Sequence, residues 1–451
     1  MSTSDKPSSL LRSSLLLLFL LSGQAWCQSD TYQQSSSGAS EDTQLRVPPP
    51  VSGQAYSTSF EGETESNYLR LGLSLTTAYS NDVNGGTPPV PSMSYSIWPT
   101  VALDKVTYRL KLLLNYSPGF TFYQNASSLN QGNHNLGLNL QYRLSPNISA
   151  TLRESFYKTS NIFDQANPLN TTSVSGGAPI SGTPIIVPSA GQSSNTTTAQ
   201  VTYQMSEKGM IGGSGTFSTF GYSSSPQTVG LFNSQSEQGS FFYSTEIHNR
   251  YSLGASYQYQ DTLSFSSSAP GTQTQTQAIF AFLTVYVKPN LSLSFSAGPQ
   301  HYNSVQPGLP VASSWQPMTM FSVSWRGERT TISGSYARTV SGGGGLNGTF
   351  HSNNASLSLG WRATRNWTAN ISGSYQNNRT LTPYFVAATP GGHSLSGTVS
   401  MQRTVGEHTS LQLGYSLAHQ TYSDIAVISS TPNISRAFVT LHFILDRPLQ
   451  R

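Results

Sequence analysis

The feature that most constrains this chain is a repeated alternation of apolar and small polar residues, in runs of about ten, between 67 and 445. The run at 69–76 reads LRLGLSLT. Because successive side chains of a β-strand point to opposite faces, one face of this run is all leucine and the other is polar. Such a strand, with lipid on one side and a wet interior on the other, fits the wall of a transmembrane β-barrel.

Eighteen such runs are joined by connections that alternate between short and long. In bacterial barrels the short turns lie at the periplasmic end and the long loops at the extracellular end. Aromatic residues occur next to the short turns and near the opposite strand ends, as the two aromatic girdles of a membrane barrel require. The sequence therefore predicts an all-β fold, a closed antiparallel transmembrane β-barrel of about 18 strands with both termini on the periplasmic side.

The amino terminus has the pattern of a secretory signal peptide. Lys6 and Arg12 accompany an apolar core at 10–21, which is too short to span a membrane. Cleavage after Ala25 and cleavage after Cys27 both stay open. We expect four regions: a signal peptide at 1–27, a disordered periplasmic segment at 28–65, the outer-membrane barrel at 66–446 and a short tail at 447–451.

Only 9% of the residues are charged, where a soluble domain typically carries about 25%. Zinc-type spacings, a P-loop and a G-x-S-x-G elbow are all missing from the sequence. The glycine run at 342–345 falls in an outer loop, and we interpret it as a flexible segment. We therefore expect no enzyme activity, no cofactor and no metal site.

The repeated unit is clearest in the hairpin at 136–152, which reads LGLNLQYRLSPNISATL. On this repeat the chain resembles Gram-negative outer-membrane β-barrels of the porin type, most closely the group called β-barrel porin 2. The resemblance implies a channel in the outer membrane, in contact with its lipid and lipopolysaccharide and inserted by the barrel-assembly machinery. One departure is that 446–451 follow Phe443, whereas many such barrels end on an aromatic residue.

Strand alternation directs mostly basic side chains into the lumen. The inward basic residues are Arg70, Arg109, Lys111, Arg143, Arg153, Arg362 and Arg436. Glu246 is the inward carboxylate. A ring of like charges on a pore wall sets ion selectivity. The pore-lining selectivity candidates are Arg70, Arg109, Lys111, Arg153 and Glu246. The alternative is that the arginines pair with carboxylates such as Glu154 or Asp164, or serve packing.

We expect a porin-like channel in the cell outer membrane for passive diffusion of small solutes or ions, with a preference for anions. The alternative is an accessory barrel for exopolysaccharide export or surface assembly that acts with periplasmic partners. The long loop at 158–196 either folds into the lumen or covers its mouth. A homo-oligomer is left open, and no feature points to nucleic acid.

Overall fold

A computed structural model describes residues 67–83, 88–159, 163, 191–223, 231–266, 271–342, 344–381, 391–423 and 433–449. All of them belong to the compact unit Gln44–Arg451. The predictions for 1–27 and 28–65 lie outside the described residues. This part of the chain holds no helix with the length and hydrophobicity that a helical membrane crossing requires.

Eighteen antiparallel strands form one closed sheet, which confirms the predicted barrel. Each strand pairs with its neighbours in sequence, and β1 closes the barrel by pairing with β18 from Tyr68↔Pro448 to Ser80↔Arg436. The strands are β1 Tyr68–Ser80, β2 Ser92–Val106, β3 Leu110–Tyr123, β4 Gln131–Ser145, β5 Ile148–Thr159, β6 Gln192–Gln204, β7 Gly209–Tyr222, β8 Asn233–His248, β9 Tyr251–Phe265, β10 Gln273–Lys288, β11 Leu291–Val305, β12 Ala312–Arg326, β13 Thr330–Gly342, β14 Thr349–Arg362, β15 Trp367–Thr380, β16 Gly392–Thr404, β17 Thr409–Tyr422 and β18 Asn433–Pro448.

The two ends of the barrel differ in the length of their connections. Eight short connections lie at one end, among them 107–109 after β2 and 405–408 after β16, and we call this the turn end. The opposite edge is the loop end, where a short 3-10 helix at Ser127–Leu129 joins β3 to β4. Both the start of β1 and the end of β18 lie at the turn end. β18 runs to Pro448, two residues past the predicted barrel boundary at 446.

The outward face of the wall is apolar, as the alternation predicts. Leu71, Leu73 and Leu75 are 44%, 38% and 42% exposed, while the polar residues between them face the interior. Aromatic side chains are exposed toward both ends of the strands, for example Trp361 near the turn end and Tyr95 near the loop end. The barrel therefore has an apolar outer band between two aromatic rows, which is the surface a lipid bilayer fits.

Inward aromatic rings are accommodated by inward glycines on the neighbouring strand. A Cβ built at such a glycine would overlap the ring, as in the pairs Phe242 over Gly212, Phe282 over Gly254, Phe438 over Gly414 and Trp98 over Gly119. Glycine marks places where another group approaches the backbone closely. These pairs hold bulky rings flat against the wall, so the rings take up little of the lumen.

Candidate functional site: the barrel lumen

The inner wall is lined by hydroxyl groups that pair between neighbouring strands. Because many of these hydroxyls find a partner on the next strand, much of the wall is polar without being charged. Such a surface is compatible with water. Examples around the barrel are Thr76 with Thr440 (2.9 Å), Ser96 with Thr121 (3.0 Å), Thr198 with Thr216 (3.1 Å), Ser335 with Ser356 (2.6 Å) and Thr398 with Ser416 (3.0 Å).

β13 leaves the wall partway toward the loop end. Its ladder with β12 runs from Arg326↔Thr331 only to Thr319↔Arg338, whereas β12 continues along β11 to Ala312. The ladder between the two described strands thus stops short of 339–342 on β13. Pro317, which has no N–H to donate, lies two residues beyond the last pair on β12. We call the segment 338–351, formed by the ends of β13 and β14 and their connection, the lumen hairpin.

The lumen hairpin lies inside the barrel, against the inner face of β10 and β11. The Nε2 of Gln300 donates to the carbonyl of Val340 (3.1 Å), and the Val340 N–H donates to Oε1 of Gln300 (2.8 Å). Thr274 and Thr349 pair through their hydroxyls (2.8 Å). Strand alternation puts Val340 and Thr349 on the outward side of the hairpin, and Gln300 and Thr274 on the inward side of the wall. Two layers of backbone therefore overlap here.

Gly342 and Gly345, at the two ends of the glycine run, are packed against other strands, so the interpretation of these two glycines as part of a merely flexible outer loop is wrong. The Phe232 N–H, just before β8, donates to the carbonyl of Gly345 (3.0 Å). Gly345 has φ +96°, and a Cβ there would overlap the hydroxyl of Tyr222 on β7. A left-handed φ and a close approach are the two conditions that favour glycine. Glycine at 345 therefore lets the hairpin tip approach β7 and the start of β8.

An apolar cluster fixes the tip of the hairpin. Leu346 and Phe350 pack with Leu231, before β8, and with Tyr422, at the end of β17, and each is at most 5% exposed. β8 and β17 lie on opposite sides of β14 in the strand order. The lumen hairpin therefore bridges the loop-end mouth between two parts of the wall.

The connection between β5 and β6 also contacts the inner wall. Phe163 packs against Ala418 and Ile434, and the guanidinium of Arg436 lies 5.4 Å from the centre of its ring. These wall residues face inward on β17 and β18. At Phe163 this loop follows the first of the two predicted alternatives and enters the lumen, while most of 158–196 lies outside the described residues.

At the turn end the inward charges are mixed. Arg70 donates to Asp446 through Nε (2.7 Å) and Nη2 (3.4 Å). Asp104 also faces inward, and Lys111 and Arg70 are near enough to act on its charge. The expectation that Glu246 stands alone among inward carboxylates is therefore wrong. Asp446 was missed because the alternating runs were predicted to end at 445. Asp104 was missed because a period of two does not show where a strand ends, and β2 continues to Val106.

The remaining predicted site residues fall into two groups. Arg109 is exposed in the turn before β3, so the prediction that it lies on a strand of the wall is wrong. Arg143, Arg153, Arg362, Arg436 and Glu246 face inward as predicted. Arg153 is half-buried in mid-strand, next to Asn139 and Thr198 in the register.

Glu154, proposed as a partner for the lumen arginines, faces outward instead. Strand alternation separates it from Arg153, and its carboxylate accepts a hydrogen bond from the Thr197 hydroxyl. Asp164, the other suggested partner, lies outside the described residues. Among the residues that are described, no group of three or more histidine, cysteine, aspartate or glutamate side chains is placed to hold a metal ion.

No family model matches the sequence. No curated protein matches it either. The resemblance to the β-barrel porin 2 group is thus unconfirmed. The class of protein that the structure defines is a closed 18-stranded antiparallel barrel with an apolar exterior and a polar interior.

Solved structures with a similar fold are outer-membrane barrels. OccK2 (OpdF) from Pseudomonas aeruginosa in complex with glucuronate is 8% identical, with 84% of this chain and 98% of that chain covered and a TM-score of 0.42. The outer membrane protein opdK from the same organism is 10% identical, with 85% and 100% covered and a TM-score of 0.40. The siderophore receptor PirA, also from Pseudomonas aeruginosa, is 11% identical, with 85% and 81% covered and a TM-score of 0.38. Likeness at this level says nothing about the function of this chain.

Proposed function

We propose that this chain is an outer-membrane channel for passive diffusion of small solutes, with the lumen hairpin as its gate. The observation that supports this proposal is the inverted polarity of the closed barrel, which is apolar outside and lined by paired hydroxyls inside. A barrel of this strand number encloses an aqueous channel when its interior is not filled by side chains. We infer that the turn end faces the periplasm, because short turns face that way in bacterial barrels.

The proposal of a gate rests on the early end of the β12–β13 ladder, which leaves the hairpin a second possible partner in β12. If the hairpin swung outward, the register Thr319↔Arg338 would continue as Met318↔Thr339 and then Gln316↔Ser341. The backbone groups of β13 would exchange their bonds to Gln300 for ladder bonds to β12. Two arrangements with similar numbers of hydrogen bonds are the condition for a two-state element whose populations can shift.

We further propose that the channel favours anions. Lys111 is exposed and Arg153 is half-buried on the inner wall, whereas Arg70 is partly neutralised by Asp446. A lumen lined by an excess of one charge raises the local concentration of the opposite ion. Lys111 and Arg153 therefore carry this part of the proposal, and the exposed turn residue Arg109 does not.

Planar-bilayer recording with the purified protein tests the proposal. We expect stepwise conductance and, in a salt gradient, a reversal potential displaced toward that of the anion. Lys111→Gln with Arg153→Gln should reduce this displacement, most strongly at low salt, where screening is weakest. Arg109→Gln removes the same charge from the exposed turn before β3, where water and salt screen it, and should change the reversal potential far less.

Each part of the proposal has its own contrary result. Cation selectivity of the unaltered protein, or equal shifts in the double variant and in Arg109→Gln, would contradict the anion preference. A folded barrel with no conductance would contradict the channel and favour the accessory role in export or surface assembly.

A further inference from the structure

A row of amide and hydroxyl side chains crosses the inner wall on β7–β10. Thr216, Gln238, Gln260 and Thr276 stand side by side in the register of these four strands, and all four face inward. We call these four residues the amide row. Each of them is at most 7% exposed. Neighbouring strands lie about 4.8 Å apart, so the row is about 14 Å long.

The lumen hairpin covers the loop-end side of the amide row. Thr274, which pairs with Thr349 of the hairpin, is the inward position of β10 next to Thr276. Just before β10, the Thr272 hydroxyl donates to Oδ1 of Asn347 in the hairpin (2.7 Å). Two residues of a strand span about 7 Å, so the row lies one such step below the hairpin. A solute that enters from the loop end therefore meets the row once the hairpin has moved.

The amide row offers hydrogen bonds and no charge. Among the described inward positions of β7–β10 between the row and the loop end, none is charged. Glu237 and Asp261, which lie on β8 and β9 beside the row, point outward. Along the same row of the wall, the next charged residue is Arg153 on β5, two strands from Thr216. This sector of the lumen is thus suited to an uncharged polar solute.

Two glutamines in this sector have hydrogen-bonding capacity left over. The Nε2 of Gln260 donates to the hydroxyls of Ser236 (2.9 Å) and Thr262 (3.2 Å). The Oε1 of Gln238, by contrast, is buried with no hydrogen-bond partner among the described residues. The same holds for Nε2 of Gln200, which lies on β6 in the next row toward the turn end. A buried polar group without a partner is destabilising, so this acceptor and this donor favour a solute that pairs with them.

We propose that the amide row, with Gln200 beside it, binds an uncharged saccharide that enters through the loop-end mouth. A hydroxyl both donates and accepts, so neighbouring hydroxyls of one sugar can donate to Gln238 and accept from Gln200. A site whose buried groups need partners discriminates strongly against a solute that lacks them. Because the row extends over four strands, it offers more contacts to a short oligosaccharide than to a single sugar. This inference rests on the proposed function, since the hairpin must move before solute reaches the row.

Saturation-transfer NMR on the full chain, solubilised in a zwitterionic detergent without sugar groups, tests the site with maltotriose as the probe. We expect maltotriose to bind about threefold more tightly than glucose, because it makes more hydrogen bonds with the row. Gln200→Leu with Gln238→Leu should weaken maltotriose binding by about tenfold, because two hydrogen bonds to the solute are lost. Both changes remove an unpaired buried group at nearly constant volume, so stability against denaturant should not fall.

Gln402→Leu is the matched control. This inward glutamine lies on β16, and its Nε2 already donates to the Ser410 hydroxyl (2.8 Å). Its replacement should change maltotriose binding by less than about twofold, because the row is untouched. Thr276→Val is a second change within the row, and it should weaken binding by about threefold through the loss of one hydroxyl. Polyethylene glycol of similar size, which has no hydroxyls along its chain, should bind the unaltered protein no better than it binds the double variant.

Equal dissociation constants of maltotriose for the unaltered protein and the double variant would overturn the proposal. So would equal binding of glucose and maltotriose, or equal losses in the double variant and in Gln402→Leu. A double variant that is less stable than the unaltered protein would assign the two glutamines a structural role instead. Planar-bilayer conductance is measured separately. Maltotriose binding to a barrel that does not conduct would contradict the proposed channel, whereas a conducting channel without maltotriose binding would contradict only this site.

Discussion

At the scale of the residue, the side of the wall on which a side chain lies decides what a substitution does. Leu140 and Asn139 are consecutive on β4, yet the first points to the lipid side and the second is exposed to the lumen. Their backbones share the same ladders with β3 and β5. The pair therefore separates the effect of the environment from the effect of local backbone structure.

We expect Leu140→Arg to destabilise the inserted barrel by about 2 kcal/mol or more, because a charge on the lipid face loses its hydration. Asn139→Arg places the same side chain in the lumen and should have a much smaller effect. Denaturant unfolding in lipid vesicles measures both. Equal free energies of unfolding for the two variants would contradict the face assignment.

Residue alternation predicted the outward and inward faces correctly wherever the strand continues on both sides, as at Leu73 and Arg153. It failed at strand ends, because a period of two gives no information about where pairing stops. Arg109 was placed in a strand that begins at Leu110, and Asp446 was left out of a strand that runs to Pro448. The charge balance of the lumen was misjudged at those ends.

At the scale of the element, the main feature that the sequence did not predict is the position of the lumen hairpin inside the barrel. Its alternation is the same whether β13 stays in the wall or enters the barrel. Its outward face would meet lipid in the wall and meets β10 and β11 in the lumen, while its other face meets the lumen in both arrangements. Leu346 and Phe350 were the available signal, since two large apolar side chains flank a glycine-rich loop that would otherwise expose them. Their burial requires a partner across the mouth.

Gly345 allows the lumen hairpin to pack against Tyr222. Gly308, in the connection between β11 and β12, is the matched control position for a substitution at Gly345. Both have a left-handed φ, +96° and +82°, but a Cβ at Gly308 meets open space while one at Gly345 meets Tyr222. Alanine at either position costs about 1 kcal/mol of backbone strain. We expect only Gly345→Ala to loosen the hairpin tip and lengthen the open time in single-channel records.

The same open times in the Gly345→Ala and Gly308→Ala channels would show that the contact with Tyr222 does not hold the gate. Unfolding measurements on both variants determine whether their backbone costs are matched.

At the scale of the whole molecule, the strand number, the antiparallel order and the closure between β1 and β18 were all predictable. They follow from the alternation and from the contrast between short and long connections. The obstruction of the lumen by the hairpin was not predictable, because it depends on contacts between strands far apart in sequence, such as Thr274 with Thr349. A local pattern specifies the wall but not what crosses it.

The central claim is that the lumen hairpin closes a polar channel, and one cross-link tests it most directly. Thr274→Cys with Thr349→Cys replaces two hydroxyls 2.8 Å apart, in a chain whose single cysteine, Cys27, is changed to serine. Thr398→Cys with Ser416→Cys is the control, since it joins two neighbouring wall strands.

Single-channel conductance is then recorded before and after reduction. We predict that the oxidised hairpin variant stays closed and opens on reduction, while the control variant conducts equally in both states. Equal conductance of the oxidised and reduced hairpin variant, with the disulfide shown to have formed, would contradict the claim that this hairpin gates the channel.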